Sequence, residues 1–321
     1  MKKTVLLLVI GLMASACAQQ VKPADNPDNI PAPTGTMPTT KTFPIVRVEA
    51  PNEVDLACAG FVTRQLLPNT NYVSGGLYTP NTTKYANGDI IYLTGKYDLG
   101  QQYQIVRELQ DPNRFELYPG QFGMLKQMGQ PYSTVGVVRI VDVRSKDAIG
   151  QVEFSCEHIV PGDYVVKYQK PDLLPAHQPF QFDRFLPANG KTSGRIVMAK
   201  DFDGYLGTGS KVYMNVGANQ GVKAGEYFRA FRGYEADLHD PTDSLSFKAS
   251  ATEDTQKKPA AMEANFLTKT GGPVIRVRDL PRRAVGEVLI LSTTPTTSTG
   301  MIVFALEDVH IGDGVELDSI N

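Results

Sequence analysis

Tryptophan is absent from this chain, cysteine and histidine are scarce (three and four residues), and neither sign of charge prevails, with 32 basic against 34 acidic side chains. Balanced charge with no strongly basic stretch argues against nucleic acid, which is bound through clustered Lys and Arg. His158, His177, His239 and His310 show no metal-ligand spacing and no cysteine pair beside them, so neither a metal nor a cofactor is expected. A Gly-x-Ser-x-Gly nucleophile elbow is missing as well. The glycine-rich run Gly204–Lys211 places its lysine after Ser210 and lies between expected strands, which argues against a phosphate loop. No long amphipathic helical stretch is found either.

What is abundant suits β-structure. Fourteen Tyr, fourteen Phe and frequent Val and Ile fit a β-rich core, and 29 Gly and 22 Pro supply turns. The expected fold class is all-β.

The N-terminus reads as an export signal. Lys2-Lys3 precede a short apolar run from Thr4 to Met13, and Ala14-Ser15-Ala16 stand before Cys17. The run is about half the ~20 residues a membrane-spanning helix needs, so residues 1–16 are expected to be cleaved. Ala14-Ser15-Ala16-Cys17 resembles the lipobox of bacterial lipoproteins. That resemblance implies a lipid on Cys17 and anchorage in a membrane; Ala18, in place of Asp, implies the outer membrane, facing the periplasm. An ordinary Ala-x-Ala cleavage site, releasing a soluble periplasmic protein, is the alternative. Residues 17–44, with six prolines among polar residues, read as a disordered tether of roughly 30–80 Å reach.

Cys58 and Cys156 then form an even pair in an exported chain and are a disulfide candidate. The alternation Gln151-Val152-Glu153-Phe154-Ser155-Cys156 also allows Cys156 to be a plain core residue.

An internal repeat organises the rest. Thr134–Val166 matches Ala284–Glu316 at a constant offset without a gap, pairing Gly136 with Gly286, Gly150 with Gly300, Glu157 with Glu307 and Asp163 with Asp313. Gly88–Leu93 parallels Gly209–Met214, and Gly100–Arg107 parallels Gly225–Arg232. Two modules follow, over 45–168 and 193–321, with a proline-rich connector at 169–192. Strands are expected in the first at 89–94, 102–108, 135–144, 149–156 and 163–168, enough for a small closed barrel without open edges. Variable loops fall at 108–133 and 233–283, the second with a long disordered part at about 238–275. The repeated Glu157/Glu307 and Asp163/Asp313 lie at turns common to both copies, where a structural role is the simpler reading.

The second module, from Val212-Tyr213-Met214-Asn215-Val216-Gly217 to Gly312-Asp313-Gly314-Val315, is similar to the SH3-like C-terminal domain of flagellar assembly protein T. Related domains occur in envelope proteins that add a peptidoglycan-binding LysM domain. The resemblance implies tandem SH3-like barrels in the bacterial envelope. With no catalytic constellation found, the chain is expected to be a non-enzymatic lipoprotein whose partners are the membrane and periplasmic or outer-membrane proteins. Peptidoglycan is the alternative partner.

Overall fold

The computed structural model describes residues 45–48, 50–175, 177–178, 180–233 and 281–318. The signal at 1–16, Cys17, the tether to residue 44, His239 and the loop at 238–275 lie outside the described residues.

Alternating side chains set the strands. In Ile90–Thr94 the second and fourth residues, Ile91 and Leu93, are buried and the others half-buried, the pattern of a barrel stave. The first half runs β1 (Ile45–Val46), α1 (Glu53–Ala57), β2 (Phe61–Thr63), β3 (Tyr72–Gly76), β4 (Ile90–Thr94), β5 (Gln102–Glu108), α2 (Gln121–Met128), β6 (Gln130–Val143), β7 (Asp147–Ser155) and β8 (Tyr164–Lys167). The second runs β9 (Phe180–Gln181), β10 (Ser193–Ala199), β11 (Tyr205–Leu206), β12 (Lys211–Met214), β13 (Tyr227–Arg232), β14 (Arg283–Thr293), β15 (Ser298–Ala305), β16 (Val309–His310) and β17 (Gly314–Leu317). Among the described residues the regular structure is almost entirely β.

Two closed six-stranded barrels result, with the same strand order. The first is β3-β4-β7-β6-β5-β8, extended by β2 on β6; the second is β10-β12-β15-β14-β13-β17. Even the irregularities repeat: Ile140 faces Gly150 and Ile290 faces Gly300, each just before a slip in register. The two glycines have a steric reason. A Cβ on Gly150 would lie 2.3 Å from Val138 Cγ2, and one on Gly300 2.4 Å from Val288 Cγ1. Each barrel closes through one strand more than the five read from sequence. The missed strand in the first is β3, whose Gly75-Gly76 ending reads as a turn.

The repeat boundaries do not coincide with the packing. Residues 45–60 fall in the first module by sequence, yet Val48, Leu56 and Ala59 pack on the outside of the second barrel against Leu289, Leu291, Met301 and Val303. The 169–192 connector supplies β9, which pairs with β1 in a ribbon across that same barrel. Nor is 108–133 a bare loop. It carries α2 and sends Tyr118 into the core of the second barrel, where the ring is 1% exposed.

Polar contacts finish the joint. Tyr213 Oη donates to the Ala59 carbonyl at 3.2 Å, and Thr297 Oγ1 donates to that of Val62 at 2.7 Å. Gln121 Nε2 donates to the Val197 carbonyl at 3.0 Å. Gly60 is needed there, with φ +69° and space for no Cβ, since one would meet Tyr213 Oη at 2.5 Å. The described residues therefore belong to one compact unit. Among them, no helix is long and apolar enough to cross a membrane.

Candidate binding groove

A five-residue helix has too few internal hydrogen bonds to stand alone, so α1 depends on its ends. Asn52 and Asp55 form a reciprocal cap: Asp55 N donates to Asn52 Oδ1 at 2.9 Å, and Asn52 N donates to Asp55 Oδ2 at 3.1 Å. Lys211 of the second barrel reaches Asp55 at 2.7 Å. At the other end Cys58 is bonded to Cys156, just past β7 of the first barrel. The pair noted in the sequence is thus a disulfide, and it ties a segment seated on one barrel to the wall of the other.

Between α1, the outer wall of the first barrel and the chain leaving β8 lies a groove of about 340 Å³. Val137 and Phe154 lie on the barrel side, and Val54 and Leu173 form the opposite, more exposed lip. Polar groups rim it. Gln102 Nε2 donates to Glu153 Oε2 at 2.6 Å, and Arg139 Nε donates to the other Glu153 oxygen. Partial burial works against the Glu153 charge, but these two donors prevail and hold its carboxyl below the usual range. Lys170 lies 3.4 Å from Glu53 at the exposed edge. Burial pushes the Tyr168 hydroxyl above the ordinary tyrosine range. The groove offers an apolar surface, a phenol and both signs of charge. That set can hold a side chain and donate or accept hydrogen bonds around it.

The corresponding wall of the second barrel is closed. Through the repeat, Gln102, Val137, Glu153 and Phe154 match Tyr227, Glu287, Val303 and Phe304. There the ribbon lies on top: Phe182 meets Phe304 edge-on with centroids 5.1 Å apart, and His177 stacks on Phe180 at 4.4 Å. Arg229 sits over the Phe182 ring at 5.0 Å and donates to Asp318 Oδ2 at 2.8 Å. Glu287 is fully buried beside them with neither carboxyl oxygen hydrogen-bonded among the described residues, and burial pushes its carboxyl up to about 8.

The other residues singled out in sequence have structural positions. Arg107 Nε and Nη2 each donate to Asp163 at 2.8 Å, and Arg232 holds Asp313 the same way at 2.8 and 2.7 Å. Both arginines also donate to a backbone carbonyl at matched positions, His158 and Asp308. Glu157 contacts Arg107 and Lys200, and Glu307 contacts Arg283 and Arg184. None of these carboxylates lines the groove. Among the described residues no three His, Cys, Asp or Glu side chains converge as metal ligands would. The two arginines were visible in sequence as aligned members of the repeat, but nothing there named their partners. The groove itself had no sequence signal, because its lining comes from five separate stretches.

Comparison with known protein families finds none that matches the chain, and comparison with curated proteins finds no similar sequence.

Proposed function

We propose that this chain is a non-enzymatic envelope lipoprotein, held at the outer membrane by a lipid on Cys17, whose two-barrel body makes protein–protein contacts in the periplasm. The observation that carries the reading is the joint. Ribbon, Tyr118 and disulfide hold the barrels as one body, and a preformed groove remains open beside that joint. A body held in this way presents a surface of constant shape, which lowers the ordering cost of binding. A structural disulfide also fits an oxidising compartment. The Cys17 anchor, the proline-rich tether and the resemblance to the barrel of flagellar assembly protein T support the envelope setting.

Crosslinking in cells followed by affinity recovery tests the contact role, with reproducible recovery of an envelope protein as the expected result. Metabolic labelling with palmitate tests the anchor: label is expected on the native chain and lost in Cys17→Ala. A soluble, unlabelled native protein would remove the lipoprotein part of the reading. Tyr168 beside Gln102 and Glu153 favours one second reading, an aromatic platform for peptidoglycan sugars. Co-sedimentation with purified peptidoglycan separates the two, because a protein-contact module stays in the supernatant.

A further inference from the structure

Resting on the protein-contact reading above, we propose that the groove beside α1 binds an extended peptide of a partner protein, with an uncharged aromatic side chain of that peptide seated on Phe154. The duplication within the chain supplies the evidence. Both barrels present the same outer wall, and in the second the chain itself shows what fits it. The occupant there is the extended segment Phe180-Gln181-Phe182, whose Phe182 ring lies against Phe304, the repeat partner of Phe154. On the first barrel that wall is left with a space of about 340 Å³, within the range of about 300–1,000 Å³ common for ligand pockets.

The two walls differ in a way that defines the ligand. The second barrel sets a guanidinium over the covering ring and buries a carboxyl beside it, Arg229 and Glu287. At the matching positions the first barrel has Gln104, engaged with Thr134 at 2.7 Å, and Val137. Its wall is apolar at Val137 and Phe154; Glu153 beside them already accepts from Gln102 and Arg139, and Glu53 and Lys170 face each other at the edge. A neutral ring gains from such a wall by burial and edge contacts, whereas a charged side chain would lose hydration where the charged groups of the rim are already engaged with one another. Aromatic anchors in preformed hollows are also where interfaces concentrate their binding energy.

The test uses the intact, oxidised full chain and a fluorescent peptide copying residues 178–184, Gln-Pro-Phe-Gln-Phe-Asp-Arg. Saturable binding is expected, weakened about tenfold or more when both phenylalanines of the peptide become alanine. Val54→Asp and Leu173→Asp alter lip residues that are 50% and 63% exposed, so the fold is kept while affinity falls by a similar factor. Absence of saturation up to about 1 mM, the weak limit of specific binding, would overturn the proposal. So would equal binding of the alanine peptide, indifference to both variants, or displacement of the peptide by soluble peptidoglycan fragments. Envelope partners recovered from cells alongside a failed titration would reject this ligand and leave the protein-contact reading in place. No partner at all would reject that reading itself.

Discussion

Two arginine–aspartate pairs, one in each barrel, show how burial alters the worth of one interaction. Arg232 and Asp313 are both almost fully buried, with side chains 10% and 2% exposed, while Arg107 keeps 30% exposure opposite Asp163. A bidentate pair satisfies donors and acceptors together, and removing one partner strands the other charge. Arg232→Leu is therefore expected to cost about 3–5 kcal/mol in urea denaturation. Arg107→Leu should cost distinctly less, because water reaches the first pair. Equal losses would show that exposure does not decide the matter. Glu287 poses the opposite problem, a carboxyl without a hydrogen bond beside Arg229 and Asp318. With its pKa raised to about 8, the folded state holds a proton that the unfolded chain releases near pH 4–5. Its contribution is complete below that range and is lost as pH rises toward 8, at up to about 1.4 kcal/mol per unit. Thermal melts between pH 5 and 8 should show this decline, and Glu287→Gln should flatten it.

At the scale of elements, the segments read as connections do much of the holding. Tyr118 comes from the loop between two strands of one barrel and fills the core of the other, with Arg195 over its ring at 5.2 Å. The joint should depend on that ring, since truncating a buried aromatic residue costs about 3–5 kcal/mol in lost burial and a residual cavity. Tyr118→Ala is expected to lower the stability of the second barrel and to split a single urea transition in two. One unbroken transition at an unchanged midpoint would mean that ribbon and disulfide suffice. The ribbon of β1 and β9 acts in the same way from outside, covering apolar wall that would otherwise face water.

For the whole molecule the covalent link between Cys58 and Cys156 sets the unfolded state as much as the folded one. It closes a loop of 98 residues that contains most of the first barrel. On the chain-entropy account a loop of that length is worth about 4–5 kcal/mol. Reduction, or replacement of both cysteines by serine, should lower the melting temperature by roughly ten degrees or more at that cost. Mass mapping without reductant should recover the two cysteine peptides as one species, and two free thiols would contradict the bridge.

Much of this architecture was legible in the chain. A constant offset between copies predicts the same strands and turns twice, and the paired Gly150 and Gly300 mark the same crowded crossing of strands in each barrel. Alternation in stretches such as Ile90–Thr94 determined which side chains turn inward. Residues whose partners lie far along the chain were not legible. Tyr118 stands in a stretch without strand periodicity, Arg107 lies 56 positions from Asp163, and Val137 shares a groove with α1 from a distant part of the chain. Local pattern reports the period of an element and the sign of its faces. Which face another segment covers is decided by the docking of whole elements, and here that left one wall of a duplicated pair covered by the chain and the other open.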